Sequence, residues 1–279
     1  MTAPAVFSDF GWATDAGLVR DKNEDSLVVS SALGLAAVAD GMGGHNAGEL
    51  ASRTAVETLK SALEDIESGH RAYKNIFSLS DTGCRLMSAI RAANSRILQL
   101  AQTNPDFNGM GTTMSAFLLR EGHAAIAHVG DSRVYTIHDG RLEQRTQDHS
   151  LVMDQVRRGE MSVAEAKSSS MRNVITRALG LEENMPVDVF DISVASGDMV
   201  LICSDGLFRV VEEGEILSAA LKTENMQTLC AGLVALANRR GGPDNVSVSA
   251  MKIGVSAELG VAGSLISALK SFFFFRRKN

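Results

Sequence analysis

Four aspartates in this sequence share one local setting. Each lies at or beside the end of an apolar or β-rich run and next to a glycine or a second polar residue; they are Asp40, Asp131, Asp205 and Asp244. Buried carboxylates are costly to desolvate unless they are paired or bind a cation. Lys and Arg are scarce beside these four in the sequence, so the set indicates a bound cation. Magnesium or manganese fits oxygen ligands better than zinc, which prefers His and Cys.

The chemistry that such a centre would support is phosphate cleavage. Two divalent ions about 4 Å apart bind a water between them, lower its pKa and clamp a phosphoryl oxygen. The alternative is that each aspartate belongs to an ordinary turn, because Asp-Gly is a common turn dipeptide. Spacing along the chain does not show that the four residues converge, so these residues alone leave both interpretations open.

The stretch GMGGHNAGE directly after Asp40 is rich in glycine, which lets backbone approach another group closely. It lacks the lysine of a G-x-x-x-x-G-K-[ST] loop, and its glycines do not form a G-x-G-x-x-G series. A nucleotide-binding loop is therefore excluded as the explanation of these glycines.

Composition limits the class of protein. A chain of 279 residues that is 45% hydrophobic can bury the core of one large domain. A net charge of -6 argues against nucleic acid as a partner, because coating it requires clustered Lys and Arg. Cys84, Cys203 and Cys230 lack metal-binding spacing and are expected to be reduced core residues. The first residues show no basic stretch followed by an apolar one, so a cytoplasmic location is expected.

Hydrophobic periodicity predicts where strands and helices lie. Period-two runs predict strands over about 26–40 and 111–146, with a hairpin turn at Asp139-Gly140. Apolar residues at three- and four-residue spacing predict helices over about 47–67 and 80–102. Further strands and helices follow after residue 198. Because strands and helices are grouped rather than alternating, the pattern favours an α+β fold with antiparallel sheets.

Eight stretches occur in an order that resembles one known family. They are GLVRDKNEDS, AVADGMGGHNAGELAS, GMGTTMSAFLL, AHVGDSRVY, TQDHSLV, RNVITRALG, VLICSDGLF and GGPDNVSV. The chain resembles the metal-dependent protein phosphatases, the type 2C serine/threonine phosphatases, and most closely their bacterial single-domain members. Each stretch alone is weakly specific, whereas the ordered set over roughly residues 10–253 is highly specific.

The resemblance implies both a fold and an activity. The fold is a β-sandwich of two antiparallel sheets flanked by helices, an α/β/β/α arrangement with the metal site at one end. The activity is hydrolysis of phosphoserine and phosphothreonine in proteins by direct attack of a metal-bridging water. The implied cofactors are two divalent ions, Mn²⁺ or Mg²⁺, with a third, weaker metal in bacterial relatives.

The resemblance also implies roles for the aspartates. Asp40 would bridge both metals and Gly41 would offer its backbone carbonyl. Asp205 and Asp244 would complete the second metal's ligands, and Asp131 would hold the third metal together with Asp205.

Further residues are implied around these ligands. Arg20 would bind the phosphate of the substrate, and Glu24 and Asp25 would act through metal-bound waters. His45 is a candidate general acid for the leaving oxygen, because a histidine pKa lies near neutrality. The alternative, that His45 only caps the following helix, stays open.

The resemblance divides the chain into a catalytic domain over 1–255, with a flap-like insertion at about 148–186, and a C-terminal tail over 256–279. The tail is apolar with a basic end. A transmembrane helix is disfavoured by its charges and glycines. Three interpretations of the tail remain open: a helix packed on the domain, a loosely ordered tail, or a helix that contacts a membrane or a partner. A membrane contact would place the protein at the inner membrane face.

The family implies phosphorylated protein substrates, an opposing serine/threonine kinase and, in some members, a forkhead-associated protein as partner. Two other functions are compatible with the same fold. One is a pseudophosphatase that only binds phosphoproteins, which is disfavoured because all four aspartates are present. The other is a hydrolase of small phosphate esters, which the site residues alone do not exclude.

Overall fold

The computed structural model describes residues 5–43 and 47–255. His45 and the tail over 256–279 therefore lie outside the described residues. The strands are β1 Ala5–Asp15, β2 Asp25–Ser30, β3 Leu35–Met42, β4 Gly111–Thr112, β5 Met114–Arg120, β6 His123–Val129, β7 Arg133–His138, β8 Arg141–Gln144, β9 Asp188–Ile192, β10 Met199–Cys203 and β11 Val246–Val255. The helices are α1 Ala47–Glu67, α2 Asp81–Thr103, α3 Leu151–Arg157, α4 Val163–Ser168, α5 Asp205–Phe208, α6 Glu213–Lys222 and α7 Met226–Arg239, with a 3₁₀ turn at Pro105–Phe107.

The strands form two antiparallel sheets. The first sheet has the order β1-β11-β10-β7-β8, and the second has the order β2-β3-β5-β6-β9 with β4 paired to β3. Helices α1 and α2 pack on the outer face of the second sheet, and α6 and α7 pack on the outer face of the first. The expected α/β/β/α sandwich is therefore confirmed.

Strand β3 explains why one part of the sequence is continuously apolar. Ala36 and Val38 face the other sheet, in a core shared with Val200 and Ile253. The alternate residues of β3, such as Ala37, pack under α1 and α2. Because both faces of this strand are covered, every position from 35 to 39 is buried and the usual apolar-polar alternation is lost.

The helices follow the predicted apolar stripes. In α1, Ala51, Ala55 and Leu59 are fully buried, at the spacing of one helical face. Helix α2 begins where expected, because the side chain of Ser80 accepts a hydrogen bond from the Gly83 N–H. Across residues 5–43 and 47–255, no helix is both long and apolar enough to cross a membrane.

The hairpin between β7 and β8 has the predicted turn. Asp139 and Gly140 have φ of 47° and 71°, both in the left-handed region that a primed two-residue turn requires. The segment at 148–186 carries the short helices α3 and α4. Single bridges join Ser150 to Ile175 and Thr112 to Leu179, so this segment is fastened next to β4.

Candidate functional site

The four aspartates converge at one end of the sandwich. They line a single cleft of about 270 Å³, together with Glu24 and backbone of Gly41. Asp40 lies near the end of β3, Asp205 begins α5 directly after β10, and Asp244 precedes β11. Asp131 follows β6. Both sheets therefore contribute carboxylates to the cleft.

Two threonines fix the backbone of Asp40. The Asp40 N–H donates to Thr113 Oγ1 at 2.9 Å, and the Thr113 N–H donates to the Asp40 carbonyl at 2.8 Å. The hydroxyl of Thr112 also donates to that carbonyl, at 2.9 Å. The two threonines therefore fix the end of β3 from behind the cleft.

Gly41 is required because the start of α1 lies against it. A Cβ at this position would lie 2.1 Å from the Gly48 carbonyl oxygen and 2.7 Å from that of Glu24. The Gly41 N–H donates to the same Glu24 carbonyl at 3.1 Å. The glycine therefore allows close approach of three backbone segments, as the sequence predicts.

Asp25 lies beneath the cleft, directly opposite Asp40 in the pairing of β2 with β3. Its Oδ2 accepts from the Ser204 hydroxyl at 2.7 Å, and that hydroxyl accepts from the Ser247 N–H at 2.9 Å. Asp25 Oδ1 is buried and has no hydrogen-bond partner. A buried carboxylate oxygen without a donor is costly, which indicates that this site is built for a nearby positive charge.

The carboxylates raise one another's pKa values. Burial, followed by the neighbouring Asp25, Asp205 and Asp131, holds the pKa of Asp40 well above its ordinary range. Burial also raises the pKa of Asp25 and of Asp131 to about 7. Burial raises the pKa of Asp205 as well, and the neighbouring Arg209 guanidinium opposes that shift. Without a cation, the cluster therefore holds protons.

Arg20 lies at the rim of the cleft. Its Nη2 lies 3.0 Å from Asp244 Oδ2, and 53% of its side chain is exposed. The guanidinium is thus close to the carboxylates and also accessible from solvent. A planar guanidinium at such a rim can bind two oxygens of a phosphate dianion.

Asn245 holds the loop that carries Arg20 and Glu24, and the sequence reasoning missed it. Its side-chain nitrogen donates to the carbonyls of Ala16 and Lys22, at 2.9 and 2.8 Å. Its oxygen accepts from the Glu24 N–H at 2.8 Å. An asparagine directly after Asp244 at the start of a buried strand was the available signal.

Arg209 corrects the expectation that Lys and Arg are scarce beside these aspartates. Its guanidinium lies against both Asp205 and Asp131. The sequence does contain a signal, since Arg209 is four residues after Asp205 and one helical turn brings the two side chains together. The expectation was wrong because it considered only adjacent residues.

The oxygen donors of the cleft fit two divalent cations, although they are not arranged as a ready-made metal cage. Across residues 5–43 and 47–255, no three His, Cys, Asp or Glu side chains form a ready-made metal cage. Arginines instead hold one oxygen of Asp205 and one of Asp244. Even so, several carboxylates line the cleft and the buried, unpartnered oxygen of Asp25 lies beneath it, and oxygen ligands of this kind are those that Mg²⁺ or Mn²⁺ prefers.

His128 and His149 lie near this end of the sandwich, but they hydrogen-bond to neighbouring protein groups and do not line the cleft. His128 is buried between the Ser115 hydroxyl and the Gln147 carbonyl, and burial lowers its pKa to about 4. His149 accepts from the Gly130 N–H at 3.1 Å and contacts Asp188. Both histidines therefore have a structural role in the fold.

The stability of the metal-free protein should fall as pH rises from about 6 to about 7. A carboxyl with a raised pKa stabilises the fold while it is protonated, and that contribution is lost as pH rises from its unfolded pKa, about 4, to its folded pKa, about 7 for Asp25 and Asp131, with little further change above that. His128, with its lowered pKa, has the opposite effect, but only below about pH 6.5. Thermal melts in EDTA across this range measure the trend.

Saturating Mn²⁺ serves as the control for that experiment. Metal ligands must be deprotonated, so the melting temperature with Mn²⁺ should rise over the same pH interval. A metal-free melting temperature that stayed level or rose between pH 6 and pH 7 would contradict the assigned carboxyl pKa values.

The four-layer α/β/β/α sandwich has a cleft lined by carboxylates and an arginine at its rim. This combination of fold and site is that of the metal-dependent phosphatases. The sequence profile of Protein phosphatase 2C matches residues 18–235. The chain therefore belongs to the protein phosphatase 2C family, as the sequence resemblance predicts.

Individual relatives agree with this assignment. Serine/threonine phosphatase stp of Listeria innocua is 35% identical over 238 residues, covering 84% of this chain and 92% of that protein. Serine/threonine protein phosphatase PstP of Mycobacterium tuberculosis is 40% identical over 235 residues, covering 84% of this chain and 43% of that longer protein. A crystal structure of the catalytic domain of PstP with two manganese ions has a TM-score of 0.76 and 36% identity, covering 90% of this chain and 99% of that one.

Proposed function

We propose that this chain is a metal-dependent protein serine/threonine phosphatase that hydrolyses phosphoserine and phosphothreonine. The observation that carries the proposal is the convergence of Asp40, Asp205 and Asp244 in one cleft with Arg20 at its rim. Membership of the protein phosphatase 2C family supports the same activity. Phosphorylated proteins are accordingly the substrate class.

In this proposal, Asp40, Asp205 and Asp244, with the Gly41 carbonyl, hold two divalent cations, Mn²⁺ or Mg²⁺. Such a pair supplies Lewis-acid activation of water and of the phosphoryl oxygens for in-line displacement. Thr113 keeps Asp40 in place through its contacts with the Asp40 backbone.

The remaining residues bind the substrate and orient the ligands. Arg20 binds the phosphate dianion at the rim. Glu24 and Asp25 orient water around the ligands, and outer groups of this kind tune metal affinity. His45 stays a prediction as general acid for the serine or threonine oxygen, and it lies outside the described residues.

Arg20→Lys should lower kcat/KM for a phosphothreonine peptide by about 10- to 100-fold, because an ammonium loses one of two charged hydrogen bonds to phosphate. The loss should fall mainly on KM if Arg20 binds ground state and transition state alike. Steady-state phosphate release measures both constants. Arg91→Lys, at an exposed position of α2, is the matched control and should leave them unchanged. Equal kinetics for the two variants would remove Arg20 from the site.

The partners and location are also proposals. A cognate serine/threonine kinase would supply the substrates, and a forkhead-associated protein is a further candidate partner. The enzyme would act in the cytoplasm, with the apolar and basic tail over 256–279 as a candidate contact to the inner membrane face or to a partner. Deletion of the tail should then reduce sedimentation with anionic vesicles or partner capture; if both stayed unchanged, the docking role would be dropped.

The decisive experiment measures phosphate release from a phosphothreonine peptide with Mn²⁺, with EDTA and with the Asp205→Asn variant. Turnover that requires Mn²⁺ and is lost in the variant supports the proposed activity. A much higher kcat/KM for p-nitrophenyl phosphate than for phosphopeptides would favour a small-ester hydrolase. Phosphopeptide binding without turnover by the folded, metal-loaded protein would favour a pseudophosphatase.

A further inference from the structure

Arg209 bridges the two carboxylates that, by the family resemblance, would hold a third, weaker metal. Its Nη2 lies 2.6 Å from Asp205 Oδ2 and 3.3 Å from Asp131 Oδ2. Only 21% of the Arg209 side chain is exposed, and 8% of that of Asp131. A fixed positive charge of the chain itself therefore lies between the two acidic groups.

Helix α5 holds this arrangement. Asp205 is its first residue and Arg209 follows its last, so the two are four positions apart and share one face. The Arg209 N–H also donates to the Asp205 carbonyl at 3.1 Å. Local backbone geometry thus places the guanidinium beside Asp205, and reaching Asp131 needs only extension of the side chain.

Asp131 depends on Arg209 for its counter-charge. The nearby carboxylate of Asp148 is paired with Arg133, whose Nη2 lies 2.8 Å from it. In the part of the chain that the structure describes, Arg209 is the only ion-pair partner of Asp131. Arg209 is therefore the counter-charge of Asp131 and is shared with Asp205, so a further cation at this pair of carboxylates would compete with the guanidinium.

We propose that Arg209 takes the place of the third metal, so that this chain binds two divalent cations and excludes a third. A guanidinium stays protonated at any pH at which proteins are folded, so the replacement is permanent. A dication on Asp131 and Asp205 would have to displace Arg209 or lie within a few ångströms of it, which like-charge repulsion opposes.

The same guanidinium contacts the segment at 148–186. Its Nη1 donates to the Asn173 side-chain oxygen, and Asn173 and Ile175 both line the cleft. Arg209 is thus a positioning residue that links the metal ligand Asp205 to this segment. A spherical cation bound only by Asp131 and Asp205 would not supply the directional donor that Asn173 receives.

The inference rests on the proposed function, which supplies the expected number of two bound metal ions in the wild type. Its test measures metal binding and does not require turnover. Mn²⁺ stoichiometry is measured by native mass spectrometry and by calorimetric titration for the wild type, Arg209→Gln and Arg209→Lys. We expect two bound Mn²⁺ for the wild type and for Arg209→Lys, which keeps the charge. Arg209→Gln should bind a third Mn²⁺, with an affinity at least about tenfold higher than that of the wild type for a third ion.

Two controls make the result specific. Arg172→Gln removes one exposed charge from the same segment and should leave the count at two. Adding Asp131→Asn to Arg209→Gln should abolish the new site. Hydrogen exchange around Asn173 should be faster in Arg209→Gln than in Arg172→Gln, because a side-chain contact has been lost.

The outcomes separate this inference from the proposed function. Three Mn²⁺ in the wild type, or only two in folded Arg209→Gln, would overturn the role of Arg209 and leave the phosphatase proposal intact. No bound Mn²⁺ in the wild type would overturn the proposed function and the inference together. If Arg209→Gln fails to fold, Arg209→Met replaces it as the variant without the charge, and three Mn²⁺ in the wild type would still overturn the inference.

Discussion

Replacing Asp40 by asparagine should abolish metal-dependent phosphate release and at the same time stabilise the metal-free protein. Activity should fall by a factor on the order of 10³, because a group that holds the charge-stabilising centre is lost. The metal-free fold should gain about 1–3 kcal/mol, because a half-buried carboxylate close to Asp25, Asp205 and Asp131 no longer has to be protonated or desolvated.

Two measurements on one preparation test this pair of effects. Phosphate release at saturating Mn²⁺ gives the activity, and thermal melts in EDTA near pH 8 give the stability. Asp65→Asn, an exposed position on α1, is the matched control and should change neither by more than about 0.5 kcal/mol. Asp40→Asn with normal turnover, or with a lower metal-free melting temperature, would contradict the assignment of Asp40 to the centre of the acidic cluster.

Replacing Gly41 by alanine should cost about 3 kcal/mol or more of folding free energy and most of the activity. The new methyl group would lie 2.1 Å from the Gly48 carbonyl oxygen, and backbone at that distance cannot be relieved by a rotamer change. Either α1 shifts away from β3 or Gly41 itself moves. Both responses displace the carbonyl that is proposed to contact a metal.

Gly232→Ala is the matched control for that substitution. Gly232 lies in the middle of α7 with open space around its Cα, so alanine should stabilise the protein by about 1 kcal/mol. Urea unfolding of both variants and phosphate release measure the contrast. A Gly41→Ala protein of normal stability and activity would show that the approach of α1 to β3 is less strict than the coordinates indicate.

Much of the fold was predictable because its local signals agree with each other. The start of α2 near residue 80, the apolar stripe of α1 and the Asp139-Gly140 turn each follow from local chemistry, and each is confirmed. The ordered set of motifs predicted the family, which the profile match confirms. The four-layer architecture came from that resemblance, since periodicity alone indicated only antiparallel sheets and helices.

The site was less accessible from the sequence. The convergence of Asp40, Asp131, Asp205 and Asp244 depends on strand order, which residue spacing does not encode. Arg209 was missed because only residues adjacent to the aspartates were considered, although it is four positions after Asp205; its second partner, Asp131, is 78 positions away in the sequence. The metal-ligand and general-acid roles stay predictions, and His45 and the tail lie outside the described residues.

The division of the proposed ligands between the two sheets has a mechanical consequence. Asp40 belongs to the second sheet, whereas Asp205 and Asp244 adjoin strands of the first. A cation that both sides bind is a cross-link between the layers, and the free energy of forming it depends on the distance between them. That distance is set by inter-sheet residues such as Phe117, which stacks on Phe7 with ring centroids 6.1 Å apart. Side chains remote from the cleft thereby act as spacers that tune how tightly the ions are held.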